Sequence, residues 1–287
     1  MSLVTFKGFL KQMNNQDIWK DIEEIVGNYI KTTHNELYER WKKWPIDLSH
    51  HEMHEVIGAL LARQVTLAAQ LAQAPSIWNR HIAPLILRTM TDVYINLAWI
   101  FIDPLDRARK FILYGLGQEK LEIEHRKAQL ESNGKDVRSD PIIKFKEEWI
   151  NAQRFDFLTE VNIGSWSGID TRKMAEEAGC IDLYRYAYTP FSAATHNMWH
   201  HVGRYNLAIC PNPLHRLHKI PIDPSLDIDP DYLYRAAKYV AKTFHLFDEK
   251  TGIEYSGPSA FELLVEAFEK FSDSINIGNM GENHEKT

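Results

Sequence analysis

Apolar residues recur along almost the whole chain at the three- and four-residue spacing of helices, and this periodicity predicts an all-α fold. Ile22, Val26, Tyr29, Ile30, Leu37, Trp41 and Trp44 trace one face of a long first helix that stops at Pro45. Ser49 and Glu52 have capping-box spacing ahead of an Ala-rich helix reaching Ala72. Pro84 suits the first turn of the next helix, within the apolar run from Ile82 to Ile102. Asp103-Pro104 begins another, whose second half, Glu119 to Glu131, is so charged that a solvated face or projecting antenna is expected. Asp140-Pro141 opens a helix toward Arg154, and Asp170 caps a short one ending near Gly179. Thr189-Pro190 reads as N-cap and first turn of a helix carrying Ser192, His196 and His200. The connection 211–230 holds Pro211, Pro213, Pro221, Pro224 and Pro230, too many for a helix. Two further helices follow, one from Asp229 or Asp231 and one from Pro258 to Phe271. With no strand alternation, repeat or flexible linker, the expectation is one multi-helix bundle over 1–272 and a disordered tail over 273–287. Its marks are the long first helix, buried central helices and the Pro-rich connection.

The chain has 287 residues, 44% hydrophobic and 25% charged, enough to bury a large core. A formal charge of −6 argues against a broad basic surface for duplex DNA and leaves room for a local basic pocket. The run from Ile82 to Ile102 is long enough for a membrane span, yet Arg88 and Asp92 would each cost about 2.5–3.5 kcal/mol at a bilayer centre. A buried helix of a bundle is the expected reading, with no membrane partner. Cys180 and Cys210 show no metal or redox spacing and point to a reducing, cytoplasmic setting. The N-terminal stretch has no long apolar core or small-residue cleavage site, so no signal peptide is expected.

Candidate chemistry comes from two polar seams drawn through apolar helices. Arg88, Asp92 and Asn96 fall four residues apart, and so do Ser192, His196 and His200; on a helix each set lies nearly on one line. Buried charges require partners, which sets two readings against each other. In the first, His196 is a general acid or base, Tyr188 and Ser192 assist it, Asp92 orients it and Arg88 binds a phosphate or carboxylate. In the second, Arg88 and Asp92 form a structural ion pair, His196 is a satisfied core histidine, and the seams fix helix register in a non-catalytic scaffold or binding module. A third reading is a metal-dependent hydrolase with His196 and His200 as ligands; a catalytic zinc needs a third, which Asp92 or Glu55 could supply, although nothing in the sequence puts either there. No cofactor is therefore predicted, with a divalent metal as the open option.

Other patterns are weaker. His50, His51, Glu52, His54 and Glu55 miss the HExxH spacing, and Glu122 with His125 has no second ExxH, so both read as surface features. His215-Arg216-Leu217-His218-Lys219 is a short basic patch that could meet phosphate or balance the acidic stretch from Asp223 to Asp231. P-loop, GxGxxG and GxSxG motifs are absent from the sequence.

Three stretches in succession, LRTMTDVYINLAWIF, DPLDRARKFILYGL and YAYTPFSAATH, resemble an uncharacterised family of bacterial all-helical proteins, the domain-of-unknown-function family 5677. The resemblance spans Leu85 to Pro213 and carries over to Arg88, Arg107, Tyr114, Tyr188, Ser192 and His196. It implies Arg107 and Tyr114 as substrate-binding companions of Arg88, and no established activity. More distantly the pattern is similar to HEPN-type toxin and RNase domains used in phage defence, which implies a toxin-like effector acting on RNA or a nucleotide. Those domains place Arg four to six residues before His on one helix, and neither Arg185 nor Arg204 has a His at that distance. A homo-oligomer is compatible with all three readings.

Overall fold

The computed structural model describes residues 16–152, 164–224 and 226–282. It is built from helices, as the periodicity predicts: α1 (Gln16–Lys43), α2 (His51–Ala72), α3 (Ala83–Ile100), α4 (Pro104–Ser132), α5 (Pro141–Asn151) and α6 (Thr171–Glu177). These are followed by α7 (Ile181–Leu183), α8 (Thr189–Thr195), α9 (Trp199–Tyr205), α10 (Asp231–Thr251) and α11 (Ala260–Glu282). Among the described residues the sheet is one short antiparallel hairpin of β1 (Leu207–Ile209) and β2 (Lys219–Pro221), the second strand inside the Pro-rich connection. Strands of three residues are too short for alternation to register in sequence. Among the described residues no helix is long and apolar enough to cross a membrane.

The chain divides into two compact units. The first comprises the described residues up to Pro45, residues 60–95 and those from Cys180 onward. Here α11 packs against α1 and α10. Gln64 of α2 donates to the Thr243 hydroxyl of α10 at 3.0 Å, and the Trp78 indole donates to the Leu71 carbonyl at 2.7 Å. The buried stripe on α1 begins with the expected Ile22, Val26 and Tyr29 but continues through Thr33, Glu36 and Arg40, while Trp41 is partly exposed. Polar residues hold core positions there because each is paired. Arg40 makes a two-pronged bond to Asp248 (Nε–Oδ1 2.8 Å, Nη2–Oδ2 2.8 Å) and a bond to Glu36 Oε2 at 2.8 Å. The other Glu36 oxygen accepts the Ala260 N–H at 2.6 Å, tying in the start of α11. Helix α11 extends to Glu282, past the expected stop at Phe271, and residues 283–287 of the expected tail lie outside the described residues.

The second unit comprises residues 46–59 and 96–179. Asp47, rather than Ser49, performs the capping, accepting the Ser49 N–H at 2.9 Å ahead of a short 3-10 turn. Glu52 and His54 are buried rather than surface residues, and Glu52 accepts from Arg109 at 3.0 Å. The charged half of α4 is not an antenna. Ile123 forms an apolar cluster with Ile143 and Ile150 of α5, extended by Leu130 and Val137. Lys146 bridges Glu119 and Glu122 at 2.6 and 2.7 Å, and Arg126 grips Asp140, the N-cap of α5, with two bonds. Helix α5 ends at Asn151; the stretch expected to carry it to Arg154 runs into residues outside the described ones.

Candidate functional site

Helix α3 positions Arg88 and Asp92 four residues apart, as read from sequence, and Arg88 is buried at 8% exposure. Its partners come from a helical run that begins earlier than expected. Thr189 is not an N-cap: Ile181–Leu183 leads into a π-helical turn over Tyr184–Tyr188 and on into α8 without a break. Pro190 has no N–H for the carbonyl four residues back and its ring crowds that turn, and a widened π turn accommodates both. The Thr189 hydroxyl donates to the Tyr184 carbonyl five residues back at 3.0 Å.

This run delivers Tyr188 and Ser192 to Arg88. The Arg88 Nε donates to Ser192 Oγ at 2.8 Å, and Ser192 Oγ donates to the Tyr188 carbonyl at 2.8 Å. The guanidinium lies over the Tyr188 ring, 3.1 Å from its centroid, and Tyr184 stacks on Tyr188 at 4.7 Å. Arg88 Nη1 pairs with Asp92 Oδ2. Asp92 is half-buried, and burial pushes its carboxyl above the usual range against the opposing pull of Arg88.

Four of the predicted residues, Arg88, Asp92, Tyr188 and Ser192, therefore meet. Chemically the cluster closes on itself: the guanidinium already has a carboxylate, and the Ser192 hydroxyl spends its proton on the Tyr188 carbonyl. The remaining predicted residues lie elsewhere. His196 caps the C-terminus of α8 in solvent, with its N–H donating to the Ser192 carbonyl at 2.9 Å. Asn197 then takes a left-handed conformation, φ 50°, which Asn tolerates at a helix end. His200 is exposed on the separate helix α9, so the expected single line through Ser192, His196 and His200 is broken. Arg107 and the half-buried Tyr114 belong to the second unit. There Arg107 donates to the Trp99 carbonyl at 2.6 Å and lies over the Trp99 ring, whose indole N–H donates to Glu177.

The structure also displays residues that the sequence reading missed. Trp199 opens α9 at 74% exposure. Its indole lies along the helix against Gly203, where an added Cβ would stand 3.1 Å from the ring, so glycine is what lets it lie flat. From His196 to Ile222 there is no Asp or Glu, while Arg204, Arg216 and Lys219 are all exposed. None of the three forms an ion pair among the described residues. Absence of acidic residues over 27 positions was the sequence signal that could have found this surface. Beside it His81, His201 and Tyr205 pack edge to face, and Arg80 covers the Tyr205 ring. Burial, with His81 and His200 nearby, lowers the His201 pKa. A small polar cavity of about 170 Å³ follows, lined by Arg80, Tyr205, Asp227, Asp229 and Tyr232.

Fold and site together define an all-helical protein with a self-paired guanidinium seam inside and, outside, an exposed tryptophan within a run of 27 residues that holds no Asp or Glu. The chain belongs to the family of unknown function DUF5677, whose pattern matches residues 54–209. The match contains the whole Arg88 seam, Arg107, Tyr114, His196 and Trp199. No curated protein and no solved structure matches the chain.

Proposed function

We propose that this protein binds single-stranded RNA on the surface formed by α9 and the hairpin, in keeping with the RNA or nucleotide substrate expected from sequence. One observation carries the reading: a solvent-facing indole inside a run that has cations and no carboxylate. Bases of any sequence stack on an aromatic face, and Lys and Arg meet the phosphates between them. Trp199 supplies the face, and Arg204, Arg216 and Lys219 supply the charge. His196 and His200, both exposed, lie three residues before and one after Trp199 in the chain, and an imidazole is a group that moves protons at a phosphate, which supports an RNA-cleaving, effector-like form of the proposal. The Arg88 seam supports a second reading for its own part of the molecule. Paired within itself, it acts as the scaffold that fixes α3 against the run from Ile181 to Thr195.

Fluorescence anisotropy with a labelled unstructured RNA tests the binding, with gel analysis of the same mixtures testing cleavage. Tight binding at low salt, weakened about tenfold by Trp199→Ala and falling steeply with added salt, is the expected result. Cleavage by the wild type that His196→Ala abolishes assigns the catalytic form; binding without cleavage leaves a binding module. Equal affinity of wild type and Trp199→Ala, or no binding at low salt, overturns the proposal.

A further inference from the structure

The tip of the hairpin gathers a cysteine and two histidines. Strands β1 and β2 pair Leu207 with Pro221, Ala208 with Ile220 and Ile209 with Lys219. The Cys210 N–H donates to the His218 carbonyl at 3.0 Å, so the ladder continues one step and sets Cys210 opposite His218. The loop between them turns back on itself. Asn212 accepts from the Leu214 N–H through Oδ1 and from the His215 N–H through its carbonyl, each at 3.0 Å, and His218 N–H donates to the His215 carbonyl at 3.2 Å. This brings His215 Nδ1 to 3.6 Å from Cys210 Sγ, and one ligand atom from each of Cys210, His215 and His218 lies within 4.8 Å of the others.

We propose that Cys210, His215 and His218 form a binding site for a zinc-class divalent cation, with a fourth position taken by water. The inference rests on hairpin geometry and is independent of RNA binding. A tetrahedral zinc with Zn–S of about 2.3 Å and Zn–N of about 2.05 Å has an S···N edge of about 3.6 Å, the separation that Cys210 and His215 already have. One thiolate and two imidazoles, in a stretch without carboxylates, select zinc-class ions over magnesium or calcium. Leu217, between the two histidines, is held in a left-handed conformation at φ 60°, and a bulky residue adopts that only where its surroundings enforce it. A metal bond across the loop supplies such a constraint to a hairpin whose Leu214 and Leu217 lie in solvent and contribute no core.

Binding is a proton-for-metal exchange. Cys210 gives up its thiol proton to solvent, its sulfur donates an electron pair to the cation, and nothing is oxidised or reduced. Coordination through His215 Nδ1 leaves the ring proton on Nε2, which sits 3.2 Å from Asn212 Nδ2. The Asn212 carboxamide then turns its oxygen to that proton and orients the ring, releasing the Leu214 N–H.

The test uses the full chain, stripped with chelator and titrated with zinc against a chromophoric competitor. One equivalent is expected to bind, weakened about a hundredfold or more by Cys210→Ser and by His215→Ala. Cobalt substituted at the site is expected to show a thiolate charge-transfer band and tetrahedral visible bands. Cys210→Ser should abolish the charge-transfer band, while Cys180→Ser, at a partly buried thiol outside the Cys210–His215–His218 group, leaves it intact. Equal zinc affinity in wild type and Cys210→Ser, a cobalt spectrum lacking the thiolate band, or a band lost with Cys180→Ser would each overturn the site.

Discussion

Cations of the first unit occupy two opposite environments. In its interior Arg40 is held by Asp248 and Glu36 and lies between the Phe244 and Tyr255 rings, 4.4 and 4.3 Å from their centroids. Arg88 has a lighter version of the same arrangement, with one carboxylate, one hydroxyl and one ring. On the α9–hairpin surface Arg204, Arg216 and Lys219 are exposed and pair with no carboxylate among the described residues. Buried charge must be matched within the protein, whereas an exposed cation without a protein counter-ion can take its match from a ligand. By that criterion the interior arginines go with the fold and the surface cations with the RNA binding proposed above, the opposite of the substrate-binding role that seam periodicity alone suggests for Arg88.

Removing the interior cations gives the largest expected effects. Arg40→Ala strands Glu36 and Asp248 in or near the core and is expected to lower unfolding free energy by about 3–5 kcal/mol, read by chemical denaturation. Arg88→Ala is expected to lower it by about 2 kcal/mol, because the single carboxylate it leaves behind, Asp92, is half in solvent and can hydrate. Neither change should alter RNA affinity once the measurement is made on folded protein. Loss of RNA binding by folded Arg88→Ala would reverse the assignment and return Arg88 to the site.

Trp199→Ala makes the opposite prediction. The indole is mostly solvent-exposed, so melting temperature should stay near that of the wild type while RNA affinity falls about tenfold. Gly203→Ala is the subtler probe. A methyl group at that position meets the indole at 3.1 Å and lifts it from the helix, which should reduce affinity by a smaller factor without removing the ring. If a variant that keeps Trp199 but tilts it binds as well as wild type, the flat seating has no role.

Which features could be read from sequence follows from what periodicity encodes. The Arg88–Asp92 pair and the Tyr188–Ser192 bond each lie within one helical run, where spacing fixes neighbours, whereas the Arg88–Ser192 bond between the runs comes from packing, which spacing does not encode. The break at His196–Met198 depends on one left-handed Asn, which spacing does not register, so a three-residue polar line read as continuous ends at Ser192. Glu36 and Arg40 escaped notice because charged residues look solvent-facing until their partners, more than 200 positions away, are known. The charged half of α4 misled for the same reason: its cations and anions are matched on α5. Cys210 carried no motif because its candidate co-ligands are histidines brought round by a turn.

The smallest expected effect concerns Asp92 and pH, and it separates the two interior arginines most finely. Burial raises the Asp92 carboxyl above its ordinary value, outweighing the pull of Arg88. Between the ordinary value, near 4, and the raised one, the folded state holds a proton that the unfolded chain releases. The stabilisation from this group is therefore complete below the ordinary value and is lost as pH rises through the raised value. Asp92→Asn keeps an oxygen for Arg88 and has no proton to lose, so it removes that slope. Melting curves of both proteins across the acidic to neutral range should show the variant gaining on the wild type as pH rises, then holding a constant lead. A wild type that instead gains on the variant would mean that ionised Asp92 is a full counter-ion to Arg88. The seam would then match the Arg40 clamp in kind, and the half-buried carboxylate would no longer mark the weaker of the two.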